Sequence, residues 1–221
     1  MQKSPLVAVI GALNLDLVIN GLPRFAKAGE QVNGSSLLVS PGGKGRNIAS
    51  MLSTWLEPGQ VSMISKLVMD PYGLYQIPYK SLTNSGINTT FVTLETDSSN
   101  LPTLAIFLNT TNQERASYYL PGENETLSVG DLTRARGLLQ ELAQNEGFLL
   151  LTLEMPLTTA VHALSLAEEL GLRVMLDPGG QPPDDLVDFS PLFSHPIYLL
   201  KPNEQEASRI TGIHVTNYTT P

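Results

Sequence analysis

The run Pro41-Gly42-Gly43-Lys44-Gly45-Arg46-Asn47 has the makings of a ligand loop. Consecutive glycines let the backbone approach a bound group closely, and the helix predicted from Gly45 to Leu56 would aim its first amides at that group. Lys44 and Asn47 add a cation and an amide able to bond hydroxyl groups. The run is not a Walker A loop, because Gly and not Ser or Thr follows the lysine, and no Gly-x-Gly-x-x-Gly follows the first apolar strand. Taken alone, it reads equally well as a tight turn ahead of a helix.

Other polar residues sit where apolar segments end. Asn14 and Asp16 follow the run Leu6 to Ile10 and Gly11, so an amide and a carboxylate emerge together at a strand end, suited to vicinal hydroxyls. The plain alternative is a capped turn. Glu154 ends the strand-like run Phe148 to Leu153, where a carboxylate must be satisfied by a ligand, a helix N-terminus or solvent. Contact with a ligand hydroxyl is the leading reading, and an anion at the helix predicted from Thr158 is the other. Asp177 closes a third such run, and Asn203 and Glu206 open a helix after a fourth. Acidic residues favour a helix start on their own, so these last positions carry a structural reading nearly as good as a functional one.

The elements that would position these residues alternate. Strands are expected near 6–10, 61–68, 148–153, 174–176 and 197–200, with helices at 45–56, about 128–144, 158–170 and 203–210, and helical content between Tyr72 and Ser85. Ser128 is the expected N-cap of the second helix and Gly171 the stop of the third. This pattern predicts an α/β fold with a mainly parallel, Rossmann-like sheet flanked by helices, whose ligands gather at the carboxyl ends of the strands. Short strands over 17–19 and 31–39, with 90–94 and 104–108, predict a smaller second sheet.

Composition narrows the function. The 221 residues carry a formal charge of −8 and no basic cluster, which argues against a nucleic-acid surface. With no cysteine there is no disulfide and no thiolate metal site. The apolar start is too short for a signal peptide or membrane span, so a cytoplasmic location is expected. Five Asn-x-Ser/Thr sequons therefore read as surface residues, and His162, His195 and His214 lack metal-ligand spacing or a nucleophile partner.

Four ordered motifs resemble the ribokinase (PfkB) family of sugar kinases. Gly42-Gly43-Lys44-Gly45-x-Asn47-x-Ala49, behind Asn14-x-Asp16, is similar to its N-terminal signature. Leu153-Glu154-x-Pro156, Asp177-Pro178 and Lys201-Pro202-Asn203-Glu204-x-Glu206 resemble three later segments, the last followed by Thr211-Gly212-Ile213 in a manner especially similar to ribokinases. The resemblance covers the chain from about Val7 onward. It implies ATP-dependent phosphorylation of a sugar hydroxyl, with ribose converted to ribose 5-phosphate as first choice. Asn14, Asp16, Gly42, Gly43, Lys44, Asn47 and Glu154 would then hold the sugar, and Asn203, Glu206 and Asp177 would help to place ATP phosphates and Mg²⁺ through water. A monovalent cation such as K⁺ is implied for the whole family member.

The resemblance also implies one kinase domain over 1–221, incomplete at its C-terminal end. Lid strands would be inserted at about 16–39 and 90–119, and the lids would pair into a homodimer. The family's catalytic base and anion hole come from a Gly-Ala-Gly-Asp segment downstream of the Asn203 motif, and this sequence contains none. Little or no kinase activity is therefore expected of the chain by itself, and some exposed apolar surface. A truncated, non-catalytic sugar or nucleoside binder is one alternative, and a fructose or nucleoside kinase of the same family is another, since Asp177 stands where ribokinases often have Asn. A dinucleotide-binding domain fits the alternation of elements but lacks the glycine fingerprint.

Overall fold

The computed structural model describes residues 4–96, 102–180 and 187–213. A strand covered on both faces has no exposed side for polar residues, and β4 (Val61–Val68), buried at every position, is such a strand. It lies beside β1 (Val7–Ile10), with β8 (Phe148–Thr152), β9 (Arg173–Asp177) and β10 (Leu199–Leu200) continuing on one side and β5 (Asn88–Glu95) on the other. The order β10-β9-β8-β1-β4-β5 is parallel throughout.

Alternate residues of these strands build two cores. Ala8, Ile10, Leu149, Leu151, Val174 and Leu176 face α3 (Val129–Arg134), α4 (Arg136–Gln144) and α5 (Leu157–Leu170), where Leu132, Leu139, Leu142 and Leu164 close the layer. Val9, Val61, Met63 and Leu67 face α1 (Lys44–Leu52) and α2 (Gln76–Asn84) through Ala49 and Leu82. Fully burying each of the Val, Leu, Ile and Met side chains contributes about 1.5–3 kcal/mol. Ser128 caps α3 in a reciprocal capping box with Asp131, and Gly171 ends α5 in the left-handed conformation. The single helix expected over 128–144 is divided at Ala135.

A second sheet, ordered β3-β2-β6-β7, rises from the carboxyl end of β1. It comprises β2 (Asn14–Leu22), β3 (Ser36–Gly42), β6 (Leu104–Thr110) and β7 (Arg115–Leu120). One expectation is corrected here. Residues 90–94 belong to β5 and pair with β4 in the large sheet, so the second lid segment is 104–120 and not 90–119. The reason is that β4, α2 and β5 form a βα unit whose Val92 and Leu94 are needed by the core beneath α2.

On the face of the large sheet that carries α1, the helical cover among the described residues thins out past α1, which reaches only the near side of β8. Beyond it, Leu150 and Met175 line an apolar hollow of about 420 Å³ together with Met51 and Trp55 of the α1 end, and Trp55 is 86% exposed. The expected apolar exposure is thus localised to the β8 to β10 half of this face.

The last helix, α6 (Glu204–Thr211), follows β10 and ends at left-handed Gly212.

Candidate functional site

The junction of the two sheets is built around the start of α1. Gly43 is the N-cap of that helix at φ 91°, and a Cβ there would lie 2.5 Å from the Ala12 carbonyl oxygen, so a side chain would push the loop off β1. At Gly42 a Cβ would fall on the Asp16 carboxylate, which occupies the space that a glycine leaves. The two glycines thus let Asp16 and the helix start share one small volume.

Into this volume comes Glu154 from the end of β8. Its Oε2 accepts the Lys44 backbone N–H at 2.6 Å, the first amide of α1. The anion expected at the helix near Thr158 is therefore placed elsewhere: α5 has Pro156 as its N-cap with no side-chain capping bond, and Glu154 serves α1 across the sheet. Burial pushes the Glu154 carboxyl above its usual range, with the negative charge of Asp16 adding to the rise. The Lys44 N–H, the Lys44 charge and hydrogen bonding to the Asn14 side chain oppose it. Asp16 is likewise raised by burial and held back by the Arg46 and Arg115 guanidiniums. The Oδ1 of Asp16 is buried with no hydrogen-bond partner.

Asn14, Asp16, Gly43, Lys44, Asn47 and Glu154 all line one cavity of about 260 Å³, with Gly42 beneath Asp16. The lid completes the wall with residues that the sequence patterns did not single out. In-register pairing puts Asp16, Ala105 and Tyr119 abreast across β2, β6 and β7, and Phe107 and Ser117 form the next such row. Asn124, 3% exposed in the short 3₁₀ turn Gly122–Thr126, donates through Nδ2 to Asn14 Oδ1 at 2.8 Å and to Tyr119 Oη at 3.1 Å. The one signal available beforehand was Asn124 two residues after the Pro121-Gly122 turn that ends an aromatic strand.

The remaining predicted residues form a second, adjoining cluster. Lys44 spans the two, because its Nζ lies 3.7 Å from both Asp177 Oδ1 and Glu206 Oε1. Lys201 Nζ approaches Asp177 Oδ2 at 3.2 Å, and Asp177 Oδ1 also accepts the Gly179 N–H at 3.0 Å. Lys44 therefore offers the first cavity its backbone and stem while its charge faces the second cluster. Asn203 and Glu206 exchange bonds of 2.8 Å as the capping box of α6, so both have a structural task at that helix start. Among the described residues no group of three His, Cys, Asp or Glu side chains is arranged to hold a metal ion. His195 pairs with Glu168 at 2.8 Å and does not line the cavity, and His214 lies outside the described residues. Nor is any described helix long and apolar enough to cross a membrane.

Comparison with known proteins agrees with this geometry. A family model described as pfkB family carbohydrate kinase matches residues 4–219. Ribokinase of Haemophilus influenzae is 30% identical over 219 residues, covering 98% of this chain and 65% of that protein. Deoxyribokinase of Salmonella typhi is 29% identical over 214 residues, covering 96% of this chain and 64% of that protein. Among solved structures, Arabidopsis thaliana ribokinase complexed with ribose and ATP superposes with a TM-score of 0.79 at 22% identity, covering 98% of this chain and 65% of that one. The chain thus spans just under two-thirds of the length of the relatives it matches. By the extent of the family match and the identity to a ribokinase along nearly its whole length, the chain belongs to the pfkB family of carbohydrate kinases.

Proposed function

We propose that the cavity at the α1 start binds a monosaccharide, D-ribose in the first instance, as the acceptor for a phosphoryl group from ATP. The observation that carries this reading is Asp16 Oδ1, a buried acceptor without a donor from the protein, on a residue that lines the same cavity as a second carboxylate, Glu154. An unsatisfied buried acceptor costs about 1–3 kcal/mol, and a sugar hydroxyl supplies the missing donor. Asp16 and Glu154 would accept from two hydroxyls while Asn47 and the Gly43 region offer donors. Relatives named as ribokinase and deoxyribokinase support a pentose, and they leave the choice between the two to experiment.

ATP would lie toward the Lys44, Asp177, Lys201 and Glu206 cluster, whose two ammonium groups suit phosphate oxygens. Both carboxylates already face lysines, so Mg²⁺ would be held there through water, with the phosphates as its direct ligands. When bound, Mg²⁺ supplies neutralisation of charge on the transferring group. The chain's own contribution is to hold the acceptor hydroxyl and to exclude water beneath the lid. Proton removal in this reaction requires a base. The sequence has no Gly-Ala-Gly-Asp segment, so the 221-residue chain is proposed to bind sugar and to transfer phosphate slowly or not at all. The outer row Leu37, Leu38 and Val39 of the lid is exposed and is the proposed homodimer contact, checked by sedimentation over a range of concentrations.

Calorimetric titration with D-ribose, 2-deoxy-D-ribose, D-fructose and adenosine tests the pocket. Saturable binding of a pentose that disappears in Asp16→Ala supports it, preference for adenosine favours a nucleoside ligand, and the absence of binding by all four rejects the reading.

A further inference from the structure

We infer that Tyr119 is a specificity-determining residue, presented to the ligand as a hydroxyl donor by a hydrogen-bond chain that runs from Glu154 through Asn14 and Asn124. This rests on the proposal that the cavity holds a sugar, and it adds to that proposal the lid residue that selects among sugars.

The argument is one of donor and acceptor bookkeeping. The Asn14 Oδ1 is the acceptor of a side-chain donor, so the Asn14 amide turns its NH₂ toward Glu154, whose carboxyl also accepts the Lys44 N–H. Asn124 is that donor, through Nδ2 at 2.8 Å. The same NH₂ carries a second hydrogen, which goes to the Tyr119 oxygen at 3.1 Å. With its oxygen already accepting, the phenol presents its own hydrogen outward, toward the cavity that Tyr119 lines. Because each link fixes the polarity of the next, Asn124 is the positioning residue on which the orientation depends.

The lid register says where the matching ligand oxygen sits. Asp16 pairs with Ala105 and Ala105 with Tyr119, so acceptor and donor stand two strands apart, about 10 Å between Cα atoms, with only a methyl group between them. That gap fits a furanose or pyranose ring held edge to edge, one hydroxyl donating to Asp16 and another oxygen accepting from Tyr119. Tyr119 is 43% exposed in the ligand-free chain, so a sugar that covers it without supplying the partner oxygen strips its hydroxyl of water and leaves it unpaired, which discriminates against that sugar.

The test is titration of the wild-type chain, Tyr119→Phe, Asn124→Asp and Asp16→Ala with D-ribose, its 2-deoxy, 3-deoxy and 5-deoxy forms, and 1,4-anhydro-D-ribitol. Tyr119→Phe is expected to weaken D-ribose about tenfold, the worth of one hydrogen bond, and to bind one analogue as well as the wild type does, which identifies the oxygen that Tyr119 contacts. Asn124→Asp keeps the shape but replaces the donor by an acceptor that captures the phenol hydrogen, and it should lose at least as much affinity. A merely structural Asn124 would instead lower the melting temperature and leave the order of preference among the analogues unchanged. Equal affinity of Tyr119→Phe and wild type for D-ribose, or equal weakening across all five ligands, overturns the inference while the loss in Asp16→Ala keeps the pocket reading. Absence of binding by the wild-type chain rejects both.

Discussion

Replacing Glu154 by glutamine separates a helix anchor from a ligand contact. The carboxylate receives the Lys44 N–H at 2.6 Å and faces the positive end of α1, and both effects favour its charged form. Exchanging a charge-assisted bond for a neutral one costs about 1 kcal/mol, and removing a charge from the helix start costs about 0.5 kcal/mol more. Against this stands burial, the largest influence on the group, which leaves its carboxyl raised above the ordinary value of 4.5. A raised pKa means that the charged form is net less favourable in the folded chain than in the unfolded one, so a neutral isostere recovers what burial costs. Burial is the larger of the two sides. For a chain of this size 1 kcal/mol moves the melting temperature by about 2–4 °C, so Glu154→Gln should melt within a few degrees of wild type and on the higher side. Its sugar affinity should drop about 10-fold to 100-fold, the worth of a hydrogen bond to a charged acceptor. Scanning calorimetry and titration on the same preparation measure both. A fall of more than about 6 °C with unchanged affinity would refute the reasoning and leave Glu154 as a helix anchor alone.

Asp16, Glu123 and Glu154 are all raised chiefly by burial, so stability from this source is full below the ordinary carboxylate values of 3.8 to 4.5 and is lost as pH rises through the raised ones. From this source the ligand-free chain should therefore melt higher near the ordinary carboxylate values than above the raised ones, while sugar affinity changes in the opposite direction as the acceptors give up protons with rising pH; parallel changes would contradict the assignment. Gly43→Ala, with a Cβ 2.5 Å from the Ala12 oxygen at φ 91°, should cost about 2–4 kcal/mol in urea unfolding, and a loss under 0.5 kcal/mol would show that the loop shifts freely. Asn203→Ala should remove about 1 kcal/mol of capping from α6, read as local loss of amide-exchange protection between 204 and 211 with the sugar affinity intact. Leu139→Ala, fully buried between α4 and the large sheet, should cost about 2–5 kcal/mol by the same denaturant measurement.

The large sheet was legible because parallel strands covered on both faces leave a plain mark, a continuous apolar run such as Phe148 to Leu153 ending in one polar residue. Glu154, Asp177 and Asn14 stood out for that reason, each the first carboxylate or amide side chain at the end of such a run. Helix limits were legible where capping chemistry is local, at Ser128 and Gly171, and less so at Ala135, where nothing in the residue type announces a break. The assignment of 90–94 went to the wrong sheet because alternating Thr, Val and Leu suits any half-buried strand. Only the intervening α2 and the packing of Val92 decide its partner. Tyr119 and Asn124 were not legible because their meaning lies in cross-strand register and in a contact with Asn14 that is 110 residues away along the chain. The helix that Glu154 anchors was hidden for the same reason: sequence neighbourhood points to α5, and the fold brings α1.

The most direct test of the sugar-site account is a crystal structure of the chain with D-ribose. The account predicts one ribose between the α1 start and the lid, with a hydroxyl within about 2.5–3.0 Å of Asp16 Oδ1 and another within the same reach of the Glu154 carboxylate. Ribose bound elsewhere, or an Asp16 Oδ1 that stays without a ligand donor in a crystal saturated with the sugar, would contradict it.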